Sequence, residues 1–176
     1  MKKFIHITFI FLLALVVFGI YNDSGSDKIA PHPQASSPQS TLVSMYKDVQ
    51  WGVNVQKHLD ILKNDFNNVS YAANNSNFVE LAAYTQYTIN HAQTAIDEDD
   101  QYEVSPQLQE AQKEWRMALQ DYNSACQFLL HGANETKSGN ERFVNFKQAA
   151  TLGNSGTTHL KGMAKSLGIN LSLNLN

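Results

Sequence analysis

The chain has 176 residues, of which 43% are hydrophobic and only 16% charged, with 13 Lys and Arg against 16 Asp and Glu for a net charge of −3. That balance lacks the basic stripe that a nucleic-acid partner requires. The single cysteine, Cys126, excludes an internal disulfide, so the fold must rest on its hydrophobic core. Neutral Asn, Gln, Ser and Thr take the place of the missing charge, which makes the surface polar but weakly ionic.

Residues 1–21 open with Lys2-Lys3 and continue as an apolar run from Phe4 to Tyr21. Such a run is read as a signal or anchor helix, with the lysines held on the cytoplasmic side and the rest of the chain outside. Gly19-Ile20-Tyr21 is a poor cleavage site, so an uncleaved single-pass anchor in the cell membrane is the first expectation. Cleavage at Ser24-Gly25-Ser26, giving a secreted protein, is the alternative. No cysteine follows the run to take a lipid. Residues 22–40, NDSGSDKIAPHPQASSPQS, hold three of the four prolines and cannot bury enough surface to offset chain entropy, so they are expected to form a flexible linker. Asn-x-Ser/Thr sequons at Asn22, Asn68, Asn74, Asn134 and Asn170 make an exported chain a glycoprotein candidate.

Residues 41–168 suit one domain with one core, and apolar residues recur there with helical period in four segments. The first spans 41–73, roughly 50 Å of helix, with Leu42, Met45, Val49, Val53, Leu59, Leu62, Phe66 and Val69 as its inward stripe. The second spans 77–96 and turns Phe78, Leu81, Ala82, Thr85, Ile89, Ala92 and Ile96 inward. The third is expected to open at Ser105-Pro106, a capping residue followed by proline at the first helical position, and to close at Gly132. Its face is Leu108, Ala111, Trp115, Ala118, Leu119, Tyr122, Cys126 and Leu129. The fourth spans 139–167, with Phe143, Phe146, Ala150, Gly153, Leu160, Ala164 and Leu167 inward. Short connections between these segments predict an all-α, up-down-up-down four-helix bundle behind the N-terminal signal or anchor helix. In the tail, 169–176, Ile169, Leu171, Leu173 and Leu175 alternate with Asn and Ser. That pattern fits a loosely packed end or a strand offered to another chain's edge.

Candidate sites are few. His58, His91 and His159 could share one level of the bundle, where haem or metal ligands would sit, yet their positions on the helical wheel place each on a flank of its apolar stripe. No Cys-x-x-Cys-His or helical Glu-x-x-His motif accompanies them. Asp97-Glu98-Asp99-Asp100, with Glu103, lacks the glycine and glutamate of a calcium loop. Acidic side chains oppose the dipole at a helix C-terminus, so the second helix is expected to end near Ile96 and leave this cluster in water, partly neutralised by Lys161 and Lys165. Gly153 and Gly156 fit either accommodation of a bulky ring from another helix or a break near Asn154-Ser155. Cys126 reads as a small core residue and not a nucleophile. Tyr84, Tyr87 and His91 form a second stripe on the second helix that, with Trp51 and Tyr71, could line a binding surface or cover a helix seam.

The run ALQDYNSACQFLLHGANE, followed by FVNFKQAATLGNSGTTHLKG, resembles the closing helical pair of small exported helical-bundle proteins of unknown function from archaea, over roughly the last 70 residues. The resemblance implies export and helicity and brings no site with it. Together these readings point to a membrane-tethered extracytoplasmic binding or scaffold module without catalytic machinery, cofactor or metal, whose partner is an envelope protein or a small ligand. The alternative is a metal- or haem-binding bundle using the mid-helix histidines.

Overall fold

The computed structural model describes residues 38–135 and 140–168, with side chains from Met45 onward. The expectations for the leader, for most of the linker and for the C-terminal tail lie outside these residues. What is described is all-helical: α1, Pro38–Asn74; α2, Phe78–Asp99; α3, Gln109–Asn134; and α4, Asn140–Ser166. The four pack against one another as a helical bundle, and close backbone approach joins only helices consecutive in the chain. Each consecutive pair is antiparallel. On α1 and α2, Lys57 meets Glu98 while Asp65 meets His91; on α3 and α4, Glu114 meets His159 while Gly132 meets Arg142.

Local chemistry explains the joints. After α1 the chain turns through Ser76, a non-glycine residue at φ 53°, and Asn77 then caps α2 by accepting the Glu80 N–H at 3.2 Å. The third helix begins at Gln109, four residues past the expected Ser105. Pro106 opens a separate turn, closed by Leu108 N–H to Ser105 O at 2.9 Å, and the helical ladder starts only with Gln112 N–H to Leu108 O. Ser105 donates its N–H to the Asp48 carboxylate of α1, at 2.7 Å, which ties the connection down, and the cap position falls to Leu108, with no side-chain cap hydrogen bond. At the other end Arg142 of α4 donates to the carbonyls of Gly132 and Glu135, satisfying the end of α3 from outside.

The main core joins Trp51, Val55, Leu62 and Phe66 of α1, Ala92 and Ala95 of α2, Trp115, Leu119, Tyr122 and Cys126 of α3, and Leu160 and Met163 of α4. Removing a large side chain of this kind from water contributes about 2 to 3 kcal/mol. Phe66 and Tyr122 meet edge to face with centroids 5.2 Å apart. A smaller core of Val69, Ala72, Leu81, Leu129, Ala133 and Ala149 fills the end near the α1–α2 turn. Glycine costs a helix interior about 1 kcal/mol, and α4 recovers it in packing. A Cβ on Gly156 would stand 3.0 Å from the Tyr122 ring, which is the accommodation of a ring expected from the sequence. The helix runs unbroken through Asn154-Ser155.

Two expected faces are corrected. On the first half of α1 the inward arc is Trp51, Val55 and His58, whereas Met45, Val49 and Val53 face away from the core. The sequence stripe followed aliphatic residues and passed over an arc whose polar members, Asn54 and His58, find partners on α2. Phe143 is exposed, because Arg142 reaches the end of α3 and Phe146 fills the space over Gly132, and these two contacts set the rotation of α4. The expected face of α3 is buried, with Leu108 partly so.

Candidate interaction surface

The acidic run at the end of α2 is built into the fold. The helix continues to Asp99 and does not stop near Ile96, because cations and donors from other helices absorb the charge that would oppose its dipole. Asp99 is fully buried; its carboxylate accepts from Trp51 Nε1 at 2.8 Å and from Arg116 Nη2 at 2.9 Å. Arg116 also reaches Asp100 at 2.9 Å. Glu98 accepts from Asn54 at 2.6 Å and from Lys57 at 2.9 Å, and pairs with His58 Nε2 at 2.9 Å. The His58 hydrogen bond, then that of Lys57, holds the Glu98 carboxyl down at about 2. The cations that neutralise the run are thus Lys57 and Arg116, where the sequence pointed to Lys161 and Lys165.

The three mid-helix histidines each take a different carboxylate. His58 is buried, against the expected flank position, and is held by Glu98. His91 Nδ1 lies 2.6 Å from Asp65, whose carboxyl is pushed up by burial while His91 pulls it back. His159 stands between Glu114 at 2.7 Å and Asp121 at 3.8 Å, and Gly162 leaves room for the Glu114 carboxylate. These pairs are charged only while the imidazole is protonated. Among the described residues no group of three or more His, Cys, Asp or Glu side chains is arranged to hold a metal ion. Burial pushes the Cys126 thiol up to about 12, so it is not a thiolate nucleophile at neutral pH.

The five residues singled out for a binding surface separate. Trp51 is 2% exposed and bonded to Asp99, so it belongs to the interior. Tyr84 is half-buried against the smaller core, as a seam residue would be. Tyr71 and Tyr87 stand in solvent, and His91 lies half-exposed on Asp65. Sequence reasoning missed two exposed rows. On α2, Val79, Ala83 and Tyr87 follow one another at four-residue steps on the outside, Val79 being 82% exposed. On α1, Met45, Tyr46, Val49 and Val53 do the same. The signal was present as a second apolar arc on α1, and it was assigned to the core.

These rows place apolar side chains on the outside of α1 and α2. The opening at the start of α4, about 420 Å³ beside Asn140, Glu141, Val144 and Asn145, is a shallow depression and gathers no set of catalytic groups. No helix among the described residues is long and apolar enough to cross a membrane. Comparison with protein-family models, curated proteins and solved structures finds no match to this chain.

Proposed function

We propose that the chain is a membrane-tethered, extracytoplasmic helical bundle that works by binding another envelope protein, with the leader at 1–21 as its anchor. The observation that carries this reading is the exposure of Val79, Ala83 and Tyr87 in one row on the outer face of α2, since a contiguous exposed apolar row marks a contact surface. An up-down-up-down arrangement presents that face sideways. Catalysis has no support in the described site, and the chain is read as a non-enzyme. Capture of a small ligand is the weaker form of the binding reading, since the described opening is shallow.

The test is cross-linking of the tagged full chain in intact cells. Recovery of one abundant membrane protein supports the reading; recovery of none, with a small molecule retained on native purification, replaces it with ligand capture. Protease added to whole cells must reach the bundle, or the export part fails. The metal or haem alternative rests on His58, His91 and His159, which share no carboxylate with one another; stoichiometric metal by elemental analysis or a Soret band in the purified chain would establish it. Asn74 and Asn134, exposed at the ends of α1 and α3, are the acceptors best placed for glycans, and a mass shift lost in Asn74→Gln and Asn134→Gln checks them.

A further inference from the structure

The first half of α1 carries apolar residues on two opposite sides. Trp51, Val55 and His58 face the core, while Met45, Val49 and Val53, exposed by 59, 63 and 66%, lie almost half a turn away at about 100° per residue. Gly52 sits on the edge of this outer arc and differs from three other helical glycines. At Gly132, Gly156 and Gly162 the space of a missing side chain is filled by Phe146, Tyr122 and Glu114, respectively. Around Gly52 no atom of the described residues comes within 4 Å. A glycine inside a long helix weakens it, and nothing among the described residues makes use of the space.

We propose that the outer arc of α1 is the contact between two copies of this chain, crossing at Gly52, where the absent side chain lets the two backbones approach closely. A two-fold crossing sets Met45, Val49 and Val53 of one copy against the same residues of the other, as an isologous interface requires. Charge favours a second copy: from Met45 through Val49, Gly52 and Val53 to Gln56 the arc carries no ionised side chain, so two chains of like net charge meet there without repulsion. Area sets the strength. Two such arcs, on the order of 400 Å² each, fall short of the roughly 1,200 Å² of stable specific interfaces, so the dimer is weak and reversible. The inference needs only the folded chain and stands apart from export and from any envelope partner.

The test places single cysteines at Val49, Val53 or Gln50 in the full chain, purified in detergent micelles, and follows oxidative dimer formation on non-reducing gels. Cys126 is buried and stays silent. Because a disulfide needs Cβ atoms about 4 Å apart, Val49→Cys and Val53→Cys are expected to couple about tenfold faster than Gln50→Cys, which is exposed on another side of the same helix. Adding Gly52→Leu, which meets open space in the single chain and leaves its helix content intact, is expected to bring Val49→Cys down to the Gln50→Cys rate. Val53→Asp in the Val49→Cys background serves as a second disruptor, setting two carboxylates across the crossing. Equal rates at all three positions overturn the proposal, as does a Val49→Cys rate that neither Gly52→Leu nor Val53→Asp lowers. Preferential coupling of Val49→Cys to a different protein in cells overturns the choice of a second copy.

Discussion

Where α1 meets the end of α2, Trp51, Asn54, Lys57, His58 and Arg116 converge on two adjacent carboxylates, Glu98 and Asp99. At the other end of the same helix pair, Val69, Ala72, Leu81, Leu129, Ala133 and Ala149 pack with no charge among them. The apolar end loses stability in proportion to the volume removed. The polar end is more exacting at its buried members, Trp51, Asn54, His58 and Asp99, since deleting the partner of any of these strands a polar group away from water. One bundle therefore joins a tolerant end to an exacting one.

The largest expected effect is at the exacting end. Asp99→Ala strands Trp51 Nε1 and one side of Arg116, and should cost about 4 kcal/mol in chemical denaturation followed by circular dichroism. A loss below that of an ordinary core truncation would erase the contrast. At the tolerant end Leu81→Ala should cost about 3 kcal/mol, and Leu81→Met much less, because volume is what that end registers. Next comes Glu98→Gln, with a loss of about 1 to 2 kcal/mol at neutral pH. Glu98 titrates near 2 in the folded chain against an ordinary 4.5, so its contribution is present above the ordinary value and is lost as pH falls toward 2. The variant should flatten that acid limb in a pH series of denaturation midpoints. The smallest effect is expected at Asp65, raised above its ordinary 3.8 chiefly by burial. The sign reverses there: the folded state holds the proton more tightly, so the Asp65 contribution falls as pH rises from the ordinary value through the folded one. Asp65→Asn should change stability at neutral pH by less than about 0.5 kcal/mol and remove that opposing slope.

How far these features can be read from residues alone follows the same division. The face of α3 from Ala111 to Leu129 was legible because one apolar stripe, centred on Trp115, runs its whole length with polar residues on the other side. The start of that helix was not, because Pro106 serves a turn held through Ser105 by Asp48, which lies 57 positions before Ser105. The end of α2 was misplaced for a related reason: Glu98 and Asp99 look like helix stops until Lys57, His58 and Arg116 arrive from other helices. On α1 the aliphatic arc through Val49 and Val53 outweighed the true core arc, whose Asn54 and His58 look solvated until Glu98 is placed beside them. Local pattern thus recovered apolar contacts, and it failed where a polar residue is buried by a distant partner. Of the residues read as binding surface or seam, Tyr71 and Tyr87 are exposed and Trp51 is buried, and the row through Val79 was overlooked.

Close backbone approach links each helix only to the one before and after it in the chain. Contacts of that kind close short loops, which keeps contact order low and folding fast. An α1–α2 hairpin can assemble once residue 99 has emerged, α3 can add to it, and α4 can finish the structure without any earlier helix having to be displaced. A chain delivered from one end, whether by the ribosome or through a translocation pore, can then mature in the order in which it appears.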